Sequence, residues 1–162
     1  MIMRGRAHKY GANVDTDAIM PARYLNITDA GELAMYCMED TDPEFRQRVK
    51  PGDIIVARRN YGCGSAREHA PMALKANGIS CVMADSFARI FFRNAINQAL
   101  PLVECEEAAA AAETGDDIEI DLGKGEIINH TKGQSYTFQR YPEFMMEILD
   151  AGGLVAQTRR AE

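Results

Sequence analysis

The chain has 162 residues, 46% of them hydrophobic, the size of one globular domain able to bury about two-thirds of its extended surface. Its 18 Lys and Arg stand against 24 Asp and Glu, for a formal net charge of -6 with no basic cluster, so the electrostatic footprint of a nucleic-acid or anionic-membrane binder is missing. No apolar run is long enough to span a bilayer and the N-terminus has no signal-peptide core, so a cytoplasmic protein with small-molecule chemistry or a protein partner is expected. The cysteines at 37, 63, 81 and 105 form no C-x-x-C pair and no histidine stands at zinc spacing, which signals neither a metal site within the chain nor a disulfide framework. Cys81 and Cys105 lie in or beside apolar runs, where a thiol behaves as a small hydrophobe.

Residues 2–8 read as a short strand, and the Gly-Ala-Asn-Val-Asp-Thr-Asp stretch 11–17 reads as a loop whose side chains bond their own backbone. Asp29 is a candidate N-cap for a helix over 29–39, and Pro43 suits the first turn of a second short helix, making 29–50 a helical insertion. Met35, Cys37 and Met38 form a stripe in it whose simplest fate is core packing. The β-branched run 53–57 reads as a strand, followed by the glycine turn Tyr61-Gly62-Cys63-Gly64-Ser65 and a helix over 66–77 ending at Gly78.

A second buried strand spans 79–84. The helix after it, 86–98, is expected to bury Phe87, Ile90, Phe91 and Ala95 and to expose Arg89, Arg93 and Asn97. The alanine run 108–112 reads as a short helix. Alternation from 117 onward, about turns at Gly123, Gly125 and Gly133, predicts antiparallel strands, and a last helix covers 142–151. The sum is a single α/β domain with a mixed parallel and antiparallel sheet.

In the glycine turn, Ser65-Ala66-Arg67-Glu68 matches the S-x-x-E capping box, so Ser65 has a plain structural reading as an N-cap contributing about 1 kcal/mol. The same geometry serves chemistry: an oxygen among amide donors at a helix start is a place where an alkoxide is stabilised. Arg67 offers a planar fork for a carboxylate, whereas as a mere surface charge it would sit where the helix dipole disfavours cations. Cys63 reads as a lining residue, and His69 is equally readable as structural or active. Gly62-x-Gly64 with Asp85 downstream mimics a dinucleotide-binding plan, which would make the chain a non-catalytic nucleotide-binding module, but Arg67 stands where the third small residue belongs. The G-x-S-x-G elbow of serine hydrolases is absent.

Taken whole, Tyr61-Gly-Cys-Gly-Ser-Ala-Arg-Glu-His-Ala-Pro71 resembles the signature of the small subunits of 3-isopropylmalate dehydratases and their homoaconitase relatives, the counterpart of the swivelling domain of aconitase. Asp15-Thr-Asp-Ala-Ile-Met-Pro-Ala-Arg-Tyr-Leu25 and Ser86-Phe-Ala-Arg-Ile-Phe-Phe-Arg-Asn-Ala-Ile-Asn97 reinforce it, in the expected order. The resemblance implies a three-layer β/β/α swivel domain over 1–162 and a hydro-lyase active only with a large subunit. That partner would carry a [4Fe–4S] cluster, and this chain would bind none. It implies Ser65 as the base that removes the proton beside a substrate carboxylate, Arg67 as a carboxylate holder, and Asp17 as support for the acid–base network, although Asp17 also reads as an Asx-turn residue. Thr16, Gly64 and Ala66 would line the substrate. Ala66 and Ala18 depart from aconitase, which has serine and histidine there, and the Ala66 side chain offers no hydrogen bond to substrate.

The segment Arg23-Tyr24-Leu25-Asn26-Ile27-Thr28 corresponds to the family's stretch for the variable substituent. With Asn26 and Ile27 after Tyr24 and Leu25, and no arginine there to meet a third carboxylate, the resemblance implies a neutral, partly apolar substituent. The expected substrate is therefore isopropylmalate. Citraconate/2-methylmalate or 2,3-dimethylmalate differ only by methyl groups, and homoaconitate by its extra carboxylate.

Overall fold

Strand β1 (Ile2–Lys9) carries two kinds of partner. In a computed structural model, which describes residues 1–161, its Ala7–Lys9 end runs parallel to β2 (Ile54–Val56). Its Ile2–Arg6 end runs antiparallel to β5 (Asp117–Asp121). Parallel pairing continues from β2 to β3 (Cys81–Ala84) and β4 (Leu102–Glu104), and antiparallel pairing from β5 to β6 (Glu126–Asn129) and β7 (Gln134–Thr137). One seven-stranded sheet results, in the order β4-β3-β2-β1-β5-β6-β7. This is the mixed α/β sheet expected from the sequence.

The helices are α1 (Thr16–Ile19), α2 (Ala30–Ala34), α3 (Phe45–Arg48), α4 (His69–Ala76), α5 (Arg89–Asn97), α6 (Glu106–Ala111), α7 (Glu143–Ala151) and α8 (Leu154–Ala161). Strands β2 and β3 are apolar at every position because both faces are covered. Ile55 and Val82 face a core closed by Ile19, Leu33, Phe45, Leu74 and Phe91 from the helices. Ile54, Val56, Cys81 and Met83 face a second core shared with Ile118, Ile120 and Ile127 of the antiparallel half. The sheet thus curls over the second core, which sets an α layer, a parallel layer and an antiparallel layer in sequence.

Several boundaries depart from expectation. Helix α4 begins at His69 rather than 66, and Ser65 caps nothing. Pro71 is the reason: in a helix begun at 66 it would lack an amide for the Arg67 carbonyl and its ring would clash there, whereas third from His69 its missing N–H costs nothing. Helix α5 starts at Arg89, so Ile90 is 51% exposed and Ile96 joins Phe91 and Ala95 in the interior. The alanine helix starts earlier, at Glu106, and α8 was not signalled by any cap.

The insertion packs as expected in part. Asp29 accepts from the Glu32 amide and caps α2, Cys37 and Met38 are buried, and Met35 is left 52% exposed because α2 ends at Ala34. Met38 adopts a left-handed φ of 62° while its side chain is fully buried. Its amide donates to the Ile19 carbonyl at 2.8 Å, so tertiary contacts hold a conformation that favours glycine. At the far end, Arg48 Nε donates to His8 Nδ1 at 3.2 Å, which leaves His8 Nε2 to donate to Asp53 Oδ2 at 2.7 Å. Arg48 also pairs at 2.5 Å with Asp42, which accepts from the Tyr10 hydroxyl at 2.7 Å, so α3 is fastened to β1.

Candidate active site

The three motifs meet beyond the carboxyl ends of the parallel strands, where α/β sheets place ligands. Past β1 and β2 the ladder continues as an isolated parallel bridge between Asp15 and Cys63, and past β2 and β3 as another between Tyr61 and Phe87. Gly62 N donates to Val14 O at 2.7 Å and Thr16 N to Cys63 O at 2.9 Å; on the other side Ala88 N donates to Tyr61 O at 2.9 Å. The glycine turn is therefore laced between the Asp15–Asp17 loop and the entry to α5.

Gly62 is required where it stands. Its φ is +83°, and a Cβ would fall 2.2 Å from Cγ of Phe91. Phe91 in turn packs edge-to-face on the buried Tyr61 ring at 5.4 Å, so the turn rests on aromatic core. Gly64, also left-handed at +93°, lies against Thr16 with ordinary clearance.

Thr16 is 2% exposed, and its hydroxyl donates to the Ser65 carbonyl at 2.9 Å, which fixes the backbone that carries the serine. Ser65, Gly64 and Ala66 are exposed. Among the described residues, the Ser65 side chain makes no hydrogen bond, and the amides of Ser65, Ala66 and Arg67 donate to no backbone carbonyl. Those donors and the hydroxyl are open to an anionic ligand. Arg67 precedes the helix and reaches the Asp17 carboxylate; its side chain is 16% exposed and that of Asp17 60%. Asp15 caps α1, its carboxylate accepting from Ala18 N at 2.7 Å. Thr16, Asp17, Ser65 and Arg67 are thus brought together by direct contacts.

Tyr24, Leu25, Asn26 and Ile27 are held differently. They follow α1 through a 3-10 turn at Ala22–Tyr24, and the Ile27 amide donates to the Tyr24 carbonyl at 3.1 Å. Tyr24 stacks on Tyr36 at 4.1 Å and 11°, and donates its hydroxyl to Glu39 at 2.5 Å, which holds the phenol above its ordinary range. Reading the sequence missed Tyr36, Glu39 and Asp40 as partners of this loop, because contacts between irregular segments leave no periodic trace. The dinucleotide plan fails on geometry: the helix starts at His69, well past the glycines, so no helix N-terminus follows Gly64 directly.

Cys37 and Cys81 are poorly placed to ligate an iron–sulfur cluster. Cys37 and Cys81 lie in apolar surroundings, where burial pushes Cys37 up to about 12 and Cys81 higher still. Among the described residues, no group of three His, Cys, Asp or Glu could hold a metal, and no helix is long and apolar enough to cross a membrane.

Fold and site together define an α/β domain that presents an exposed serine and a paired arginine at the carboxyl edge of a parallel sheet. Residues 3–107 match the family model of the aconitase C-terminal domain, and the chain belongs to that family. It is 61% identical over 155 residues to the 3-isopropylmalate dehydratase small subunit of Caldicellulosiruptor saccharolyticus, covering 96% of this chain and 90% of the relative. It is 57% identical over 155 residues to the 2,3-dimethylmalate dehydratase small subunit of Eubacterium barkeri, covering 96% and 95%. The crystal structure of 3-isopropylmalate dehydratase from Methanocaldococcus jannaschii superimposes with a TM-score of 0.94 at 48% identity, covering 99% of this chain and 95% of that one.

Proposed function

We propose that this chain is the small subunit of a 3-isopropylmalate dehydratase, a hydro-lyase that interconverts 2-isopropylmalate and 3-isopropylmalate by dehydration and rehydration in leucine biosynthesis. The observation that carries the reading is the Ser65 turn, bonded through Thr16 and faced by the Arg67–Asp17 pair, in a chain so close to named small subunits. A large subunit is the partner. The [4Fe–4S] cluster that the family implies belongs, in this reading, to that subunit. Residues 1–162 form one swivelling domain that closes over the shared site, with 29–50 as its insertion. The free cysteines suit the reducing cytoplasm.

In this reading Ser65 Oγ, as the alkoxide, removes the proton from the carbon beside a carboxylate held on the Arg67 fork, which leaves Asp17 when substrate arrives. The electron pair forms the double bond as the neighbouring hydroxyl leaves as hydroxide, for which the partner's cluster would supply the Lewis acid. Amides along 65–67 receive charge that develops on the carboxylate as the carbanion forms. On rehydration to the other isomer, hydroxide adds to the carbon that lost the proton, and the Ser65 hydroxyl gives its proton to the carbon that had borne the hydroxyl. Thr16, Gly64 and Ala66 shape the floor, and Tyr24, Leu25, Asn26 and Ile27 receive the variable substituent.

A second substrate reading has its own support: the relative from Eubacterium barkeri is nearly as similar and is named for 2,3-dimethylmalate. Apolar pockets separate such substrates by only about 1–3 kcal/mol per methylene. The test is to co-express the chain with its large subunit and assay the pair anaerobically with 3-isopropylmalate, 2,3-dimethylmalate, citraconate and homoaconitate. Turnover led by 3-isopropylmalate is expected, and a pair inert toward all four overturns the assignment.

A further inference from the structure

We propose that Tyr36, Glu39 and Asp40 of the insertion are positioning residues for substrate choice: they hold the Tyr24–Ile27 loop in place and keep the cation that precedes it, Arg23, occupied. The inference rests on the proposed function, in which that loop meets the variable substituent.

The contacts converge on two residues. Arg23 presents its fork to Asp40 at 2.8 and 2.7 Å and donates to Glu39 at 3.0 Å. Its Cζ also lies 4.8 Å from the centroid of the Tyr24 ring. One oxygen of Glu39 receives both that bond and the Tyr24 hydroxyl, while Tyr36 stacks on the same ring. Tyr24 is therefore fixed through its ring and its hydroxyl, and the residues that follow hang from it through the Ile27 amide.

The anchor is itself rigid. Leu33, Cys37 and Met38 are buried, and the left-handed turn at Met38 swings Glu39 and Asp40 back toward the loop. Met38 N bonds Ile19 O and Thr41 Oγ1 bonds Ala18 O at 3.1 Å, so the same stretch braces the helix that carries Asp17. Glu39 and Asp40 are exposed and outside both cores, so packing alone does not call for them. Their chemical consequence is specific. With Arg23 neutralised by two carboxylates, the loop has no free cation for a substrate arm ending in a carboxylate, and a neutral arm is admitted.

The test uses the small–large pair with 3-isopropylmalate and with homoaconitate, which differs in carrying that extra carboxylate. Glu39→Gln combined with Asp40→Asn keeps size and hydrogen bonding but releases the arginine charge; Tyr36→Leu removes the stack, and Tyr36→Phe keeps it. In the first two variants the kcat/KM ratio of 3-isopropylmalate over homoaconitate should fall roughly tenfold, through KM, with kcat for 3-isopropylmalate unchanged. Tyr36→Phe should retain the wild-type ratio, and thermal unfolding with size exclusion verifies that each variant folds and pairs. An active pair whose ratio moves in neither variant overturns this inference alone. A wild-type pair inert toward every substrate overturns the proposed function, and this inference with it.

Discussion

Arg67 is ion-paired to Asp17, a residue fifty positions earlier, and the pair joins the glycine turn to helix α1. The guanidinium is mostly covered and the carboxylate mostly exposed, so Asp17 keeps the fork oriented while remaining displaceable. Arg67→Lys retains the charge but loses the planar fork. In the assembled enzyme it should lower kcat/KM by roughly 10- to 100-fold, mainly by raising KM. A steady-state comparison of the two pairs measures this; an unchanged KM would show that Arg67 does not hold a carboxylate.

Ser65 separates a structural role from a chemical one. Because α4 starts at His69 and the serine hydroxyl makes no bond, Ser65→Ala should leave the unfolding temperature within error, where loss of a true N-cap costs about 1 kcal/mol. Turnover should nevertheless drop by about 10²- to 10⁴-fold, as expected for a lost proton-transfer group. Calorimetry and an activity assay on one preparation decide it: a destabilised but active variant would make Ser65 structural.

What the sequence made legible follows from where its signals come from. Within the runs 53–57 and 79–84, Ile54–Val56 and Cys81–Ala84 are apolar throughout because two layers bury them, and both strands were readable. The site motifs were readable as words, yet the start of α4 was not, although Pro71 stood in the motif and its ring geometry decides the boundary. The capping-box pattern at Ser65 was a local signal overruled by a local constraint five residues on from Ala66. Ile90 was misplaced for a related reason: once α5 starts at Arg89, its buried stripe runs to Ile96 and leaves Ile90 outside. The grip of Glu39 and Asp40 on Arg23 was not readable at all, since it depends on a left-handed Met38 that no propensity favours.

Thr16→Val tests how the serine backbone is held. Valine matches the shape of threonine but cannot donate to the Ser65 carbonyl, which lies in an exposed turn and can take a water instead. Stability should fall by only about 0.5–1.5 kcal/mol. The kcat of the pair should fall with KM little changed, because the reacting oxygen is displaced while the carboxylate fork stays. Equal kcat for variant and wild type would separate Thr16 from the placement of Ser65.

The Asp42 carboxyl gives a pH test. Burial alone would raise it, but the hydrogen bonds from Arg48 and Tyr10 and the Arg48 charge outweigh burial and hold it below its usual range. A depressed folded value means the stabilisation is fully present above the unfolded value, about 3.9, and disappears as pH falls through the folded value. Urea unfolding from pH 7 down to about 3 should therefore show acid destabilisation. Asp42→Asn should lower stability at pH 7 and flatten that decline; an identical slope in the variant would remove Asp42 from the acid response.

Gly62→Ala should be the most damaging small substitution at the site. The left-handed backbone disfavours any L side chain by about 1–2 kcal/mol, and the new methyl would overlap Phe91, at a further cost of about 1–3 kcal/mol. Shifting Phe91 disturbs its contact with Tyr61, the residue from which the whole turn departs. Phe91→Ala in the same chain removes Cγ and Cδ1, which the new methyl would overlap, but not the backbone strain, so Gly62→Ala should cost less in that background than in the wild type. Denaturant unfolding of the four chains in this cycle gives the coupling directly. If Gly62→Ala costs the same in both backgrounds, the contact with the Phe91 ring contributes nothing to its cost.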